Sequence, residues 1–466
     1  MALIYSNLII NKNSNKYVPF LVNLISGRRR MLSNDEFVHV SSMLCKGDAS
    51  GFSDDEAKLC KKLKDEKQFI DDPQRKDIEE QMLKSGYFET ANKRKNDFIC
   101  SIQLTQDCNM RCAFCFERGY ADKQARMSEE KIDAVFDFFK SYGDAHGITM
   151  SPSSSIRITG GEPLLNQQYV DMINYIANKW PDAKIILFTN GSNLTKFYNQ
   201  LPISRFDSVD IALDGIEENH LLSRRPDASV SKSFYGDIIT GIKQLLKDQV
   251  TVNIKTVVSK ENYMHFPGFV QFLNSEGILS SPNATFVAGL VMDCSNPLEI
   301  DEAFNNKQDA LRIQSYIQEK CGFSISTFPS ASALWGILQR TDNNPYMPRS
   351  VRCGTSFLIN YYFSPNGNIY FCDCMDKDKA VVGTYYPEIS IDEDIVKKLA
   401  ERDVMTHAKC KECPYKFVCL GGCPLGSLIK DEEMSCGIFA DQEILDNLEY
   451  PYYEKHIAAA NYHKET

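Results

Sequence analysis

From Phe98 to Val291 the chain alternates short β-rich runs with longer amphipathic ones, and this limits its fold more than any other feature. Phe98 to Leu104, Ser155 to Thr159, Lys184 to Thr189, Ser208 to Leu213, Val250 to Val258 and Ala284 to Val291 read as strands. Ser128 to Tyr142, Tyr169 to Lys179, Ser233 to Lys247 and Met264 to Glu276 read as helices; in the first, Ile132, Val135, Phe138 and Phe139 form one stripe. Strand–helix alternation of this length implies parallel strands, closed or nearly closed into a barrel. Barrels of this kind carry their active sites at the carboxyl ends of the strands. Polar segments stand at those ends: Gly160-Gly161-Glu162-Pro163, Asn190-Gly191 and Asp214-Gly215.

The first of these strands leads into Cys108-x3-Cys112-x2-Cys115, with Phe114 just before the third cysteine. Three thiolates on so short a span cannot complete a tetrahedral site alone. They can hold three irons of a [4Fe–4S] cluster and leave the fourth open to a small molecule. A zinc knuckle or three unrelated thiols fit the spacing too. Glycines at 160 and 161 let backbone approach a ligand without a Cβ in the way, and a carboxylate or carbonyl nearby could hold an ammonium group. The same four residues could equally be a strand-end turn.

Eleven of the 16 cysteines fall in two groups, 108–115 and 353–436, as metal ligands do; Cys45, Cys60, Cys100, Cys294 and Cys321 are scattered and read as packing residues. The beginning of the chain lacks a basic segment and a small-residue cleavage site, so a reducing cytoplasm is expected, where disulfides are rare. A net charge of −10 gives no electrostatic support for a nucleic-acid partner. No apolar run approaches the ~20 residues needed to span a membrane.

Residues 1–95 read as a separate unit. Leu3 to Ile10 and Tyr17 to Leu24 suggest a hairpin, followed by helices beginning near Ser33, Asp54 and Pro73. A hairpin and three helices fit a winged-helix-like module, which could bind an extended peptide at the hairpin edge, or else a plain N-terminal cap. Arg28-Arg29-Arg30 reads as a solvated turn. The further expected divisions are a barrel over 96–300, a bridging region over 301–350, a cysteine-rich domain over 351–440 and a helical tail over 441–466.

Taken together, the Cys108–Cys115 loop, GGEP at 160–163, Thr189-Asn190-Gly191 and Leu213-Asp214-Gly215 resemble the radical SAM superfamily. The resemblance implies a partial, TIM-like (β/α)6 barrel. In it Cys108, Cys112 and Cys115 would ligate a [4Fe–4S] cluster that binds S-adenosylmethionine, and reduction would yield a 5′-deoxyadenosyl radical. Gly160, Gly161, Glu162 and Pro163 would line the methionine part, Phe114 would shield the cluster, and Asn190, Asp214 and Arg224 would belong to the cofactor site. One departure is Ala212, where relatives usually carry Ser; Thr189 or Asn190 could compensate.

The series Cys353, Gly367-x4-Cys372, Cys410-x2-Cys413-x5-Cys419-x3-Cys423 and Cys436 would by itself allow zinc ribbons; as a whole it resembles the SPASM extension, with two auxiliary [4Fe–4S] clusters. By that resemblance Cys410, Cys413, Cys419 and Cys436 hold one cluster, and Cys353, Cys372 and Cys423 belong to the other. Either Cys374 or a substrate thiolate would complete the second. Asp373 matches a base of sulfatase-maturing relatives, or else is a turn residue. The resemblance implies a maturase of ribosomally made peptides that grips a leader sequence through residues 1–95 and forms a thioether or other cross-link. A flavodoxin or ferredoxin would supply electrons. An anaerobic sulfatase-maturing enzyme and a non-catalytic iron–sulfur scaffold are the other readings.

Overall fold

The structure is a computed structural model that describes residues 7–10, 20–26, 28–46, 49–87, 99–115, 117, 125–143, 145, 154–290, 312–313, 316–317, 319–321, 348–351, 355, 359–372, 380–413, 415–424, 427–428 and 434. The tail over 441–466 and most of the 301–350 bridge lie outside them.

Three strands open the chain: β1 (Asn7–Ile10), β2 (Phe20–Asn23) and β3 (Arg29–Met31), antiparallel in that order. Helices α1 (Asn34–Lys46), α2 (Asp54–Asp65) and α3 (Asp72–Lys84) follow. The last two begin with reciprocal capping boxes, Ser53 with Glu56 and Asp71 with Gln74, which satisfy backbone N–H groups left open in a first turn. Leu21, Leu32, Val40, Met43, Leu63 and Phe69 form their shared core. The arginine run is not the solvated turn its composition suggests. Arg29–Met31 is the third strand, and Arg30 pairs with Glu36 at 2.6 Å and Glu66 at 2.9 Å. Glu36 in the first turn of α1 and Glu66 just past the end of α2 converge on one guanidinium and hold it there.

The central sheet is built from β4 (Ile99–Gln103), β6 (Ser155–Thr159), β7 (Lys184–Thr189), β8 (Phe206–Ala212), β10 (Thr251–Val258) and β11 (Ala284–Leu290), all parallel. Helices α4 (Glu129–Phe138), α5 (Gln167–Lys179), α6 (Glu217–Ser223), α7 (Phe234–Lys247) and α8 (Phe266–Ser275) lie between them in sequence. Alternate residues of β10 are buried, Val252, Ile254, Thr256 and Val258, because successive side chains point to opposite faces. Two of them, Val252 and Ile254, join Ile156, Ile158, Leu187, Val209 and Ile211 in packing against Ile173, Ile176, Ile238 and Leu245 of the helices. Each such aliphatic side chain contributes about 1.5–3 kcal/mol by leaving water.

The sheet does not stop at β4. It continues through β12 (Asn360–Phe363), parallel to β4, then antiparallel β13 (Asn368–Tyr370), β14 (Gly383–Thr384) and β15 (Ser390–Ile391). The order β11-β10-β8-β7-β6-β4-β12-β13-β14-β15 is therefore that of an open, mostly parallel sheet, and the barrel is partial. Helix α9 (Glu393–Ala400) follows. No helix among the described residues is long and apolar enough to cross a membrane.

Candidate active site at the cysteine loop

Strand β4 carries the chain to Thr105, and a chain of short contacts then shapes the turn. Thr105 Oγ1 accepts from the Asp107 amide at 3.0 Å, Asp107 Oδ1 accepts from the Cys108 amide at 2.9 Å, and the Met110 amide points at Cys108 Sγ at 3.3 Å. The loop then forms a strand that its sequence does not announce. Residues Met110–Cys112 (β5) pair antiparallel with Arg224–Pro226 (β9), setting Cys112 opposite Arg224. The Cys115 amide bonds to the Cys112 carbonyl at 3.4 Å.

Gly160 and Gly161 stand behind this loop. A Cβ on Gly161 would lie 2.1 Å from the Asp107 carbonyl oxygen, and one on Gly160 would lie 2.9 Å from that of Thr105. The Gly161 amide donates to Thr105 O at 2.8 Å and the Glu162 amide to Asp107 O at 2.9 Å. These glycines let the end of β6 lie against the backbone that aims Cys108, a contact any side chain would push apart.

Glu162 is fully buried and takes three donors: the Thr189 hydroxyl at 2.6 Å, the Asn190 amide at 2.7 Å and the Leu164 amide at 2.8 Å. It ties the end of β7 to that of β6. The Asn190 side chain continues the bracket, donating to Asn109 Oδ1 at 2.9 Å and pointing at Cys108 Sγ from 3.9 Å. Asn109 in turn donates to Ser192 at 2.9 Å. Thr189 and Asn190 are thus both engaged within the protein, at the end of β7 that runs beside the end of β8. Asn109 had no signal in the sequence, since an isolated Asn in a loop has no distinguishing pattern.

Burial pushes the Glu162 carboxyl up to about 7, against the pull of its three donors. Between the ordinary value of 4.5 and about 7 the folded chain holds this proton more tightly than the unfolded chain. The contribution of Glu162 to stability therefore falls as pH rises through that window and levels off above it. In Glu162→Gln this slope is absent. Urea unfolding of the cluster-free protein should show the variant gaining on wild type by up to about 3 kcal/mol across the window, superimposed on a constant loss from the altered hydrogen bonds.

Asp214 anchors the other side. Its carboxylate accepts from Arg224 Nε at 2.7 Å, Arg224 Nη2 at 3.3 Å, the Ser223 hydroxyl at 2.9 Å and the Val257 amide at 2.9 Å. Its own amide donates to Nδ1 of buried His220 at 3.2 Å, and burial lowers that imidazole to about 4. Arg224 Nη1 lies 3.7 Å from Cys112 Sγ, and the guanidinium sits 5.1 Å from the centroid of the Phe114 ring.

The residues present fit a cationic cluster. Burial raises all three thiols, and the charges of Cys112 and Cys115 raise Cys108 further, so the sulfurs share one electrostatic neighbourhood. Such thiols ionise only against a positive group, and a cluster core supplies one. The N–H groups of Met110, Asn190 and Arg224 directed at Sγ atoms are donors of the type that sets iron–sulfur potentials. Among the described residues no three His, Cys, Asp or Glu side chains converge as a single-ion site requires.

In the second cysteine series the structure places Cys372 just after β13, beyond the tight turn at Gly367, whose φ is +95°. Cys410, Cys413, Cys419 and Cys423 lie on consecutive turns, with the Cys413 amide bonded to the Cys410 carbonyl at 2.9 Å. The segment ends in three left-handed residues, Leu420, Gly421 and Gly422. Cys353, Asp373, Cys374 and Cys436 lie outside the described residues.

Residues 102–273 match the model of the radical SAM superfamily, so this stretch is a radical SAM domain. Two curated relatives are GTP 3',8-cyclases of Clostridium perfringens: that of strain 13 is 27% identical over 208 residues, 44% of this chain and 54% of the relative. That of strain SM101 is 30% identical over 169 residues, 36% and 48%. The chain thus spans about half the length of the curated relatives it matches. In fold it is similar to the solved structure of native anSMEcpe with bound AdoMet and Cp18Cys peptide, at TM-score 0.54 and 17% identity, covering 78% of this chain and 99% of that one.

Proposed function

We propose that this protein is a radical SAM enzyme that matures a ribosomally made peptide. The observation that carries the reading is the set of three thiols at the carboxyl end of a parallel sheet, Cys112 buried and Cys108 and Cys115 partly so, two of them met by N–H donors, within a radical SAM domain. Cys108, Cys112 and Cys115 would hold the cluster, with S-adenosylmethionine beside Gly160 to Pro163, Asn190, Asp214 and Arg224. When bound, this pair supplies one-electron hydrogen abstraction from carbon. The chain's own part is to fix the thiols, through Asp107, Asn109 and Arg224, and to keep water away from Cys112, which is buried within the β5–β9 pair.

A peptide substrate is supported by the N-terminal three-stranded sheet, whose β1 and β3 edges could add a strand, and by the peptide in the fold neighbour. The under-ligated set Cys353, Cys372 and Cys423 suits a substrate thiolate, with Cys374 as the internal alternative, and so favours thioether formation. Asp373 favours a second reading, oxidation of Cys or Ser to formylglycine. Two auxiliary clusters and a flavodoxin or ferredoxin as reductant complete the proposal.

The test is to incubate anaerobically reconstituted, reduced protein with S-adenosylmethionine and candidate precursor peptides. Formation of 5′-deoxyadenosine and a product lighter by two hydrogens is expected; GTP should neither stimulate cleavage nor be consumed. Formylglycine made from Cys also loses sulfur, which separates the second reading by mass. No 5′-deoxyadenosine under strict anaerobiosis would rule out both.

A further inference from the structure

Two cations with fully buried side chains join the N-terminal unit to the second cysteine series. They are Arg75 on α3 and Lys416, which lies between Cys413 and Cys419. Arg75 Nη2 meets Asp72 at 2.9 Å and Glu412 at 2.7 Å, while Nη1 meets Glu79 at 3.2 Å. Lys416 Nζ meets the other oxygen of Glu79 at 2.7 Å. Both cations donate to one carbonyl, that of Lys411, at 3.4 Å from Arg75 and 2.6 Å from Lys416. Lys411 stands between Cys410 and Cys413, so the shared carbonyl belongs to the segment that spaces these two sulfurs.

This arrangement is more than a surface contact. Buried charges are tolerated only when paired and hydrogen-bonded, so the set is satisfied only while α3 lies on the cysteine loop. The loop needs such support. Apart from one helical turn, Lys416–Cys419, its described residues form tight turns and end in three left-handed residues, with no strand or long helix among them to hold its shape.

We infer that Arg75 and Glu79 of the N-terminal unit are positioning residues for the thiols of Cys410, Cys413 and Cys419. Docking of α3 and metal loading of this loop are then linked, each favouring the other by the same factor. The N-terminal unit is thereby a structural part of the second metal site as well as a substrate-binding element. This rests on the proposed reading of the second cysteine series as a cluster site.

The test uses the full chain carrying Cys112→Ala, so that iron reports on the second series. After anaerobic reconstitution, iron per chain, the EPR spectrum of the reduced protein and the rate of iron loss to a chelator are measured, with circular dichroism as the check on folding. Glu79→Gln and Lys416→Met are each expected to speed iron loss by about 10-fold or more, the range for outer-shell partners, and to alter the spectrum. Combining the two substitutions removes the buried pair together and should recover most of the retention, because it strands no charge. Glu412→Gln, at the exposed rim of the network, should act in the same direction more weakly, and it serves if a buried variant fails to fold. Folded variants that keep the parental iron and spectrum would overturn the inference. A parent that takes up no iron would instead remove the cluster reading, and the inference with it.

Discussion

Substituting Cys112 with Ala is expected to abolish formation of 5′-deoxyadenosine. Cys112 is 8% exposed and sits in the β5–β9 pair opposite Arg224, whose Nη1 lies 3.7 Å from its sulfur. Its loss leaves Cys108 and Cys115, and two thiolates do not retain a cluster that needs three protein ligands. Iron content should fall by about four per chain, the complement of one [4Fe–4S] cluster. The fold should survive, since only one small buried side chain is shortened. Cys413→Ala provides the contrast: iron falls as well, but cleavage of S-adenosylmethionine continues without coupling to product. A Cys112→Ala protein that still makes 5′-deoxyadenosine would refute the assignment of this loop.

The second large effect is expected on stability, at Asp214. Its side chain is fully buried and that of Arg224 is 12% exposed. Replacing Arg224 with Met leaves the carboxylate in a dry site with only the Ser223 hydroxyl and the Val257 amide as partners. Breaking a buried pair from one side costs about 3–5 kcal/mol, and urea unfolding of cluster-free protein should show a loss of this size. Replacing both residues, Arg224→Met with Asp214→Leu, should recover much of it, because no isolated charge remains. Cluster binding in the double variant should nevertheless be weakened, since the donor to Cys112 is gone. Equal losses in single and double variants would show that the pair contributes through packing alone.

Much of the central fold was legible from periodicity. The strands Ser155–Thr159 and Lys184–Thr189 begin and end where the apolar pattern places them, and β10, Thr251–Val258, falls within the run Val250 to Val258 read as a strand. The helical stripe of Ile132, Val135 and Phe138 is buried as read. Such signals are local: a side chain's direction depends on its own few neighbours in sequence. The three-residue strands β5 and β9 give no periodic signal, and their pairing joins residues 112 positions apart at Cys112 and Arg224. Likewise, β12 to β15 extend the sheet beyond β4, where the sequence suggests only a separate cysteine-rich domain. Arg30 illustrates the same limit for charges, since nothing near it in sequence foretells Glu66 as a partner.

The sequence by itself determined the chemistry available: which side chains are thiols, how closely three of them follow one another, and that they come at the end of a strand in a parallel α/β array. Covalent spacing and residue type suffice for that, because a loop of eight residues cannot carry its cysteines far apart. Only the tertiary structure decided what surrounds them. It turned Gly160 and Gly161 toward the backbone of Thr105 and Asp107, committed Glu162 to Thr189 and Asn190, and aimed Arg224 at both Asp214 and Cys112. It also set Arg75 and Lys416 on one carbonyl beside Cys410. Hydrogen bonds and ion pairs act over a few ångströms of space, and folding alone brings the distant parts of a chain within that reach.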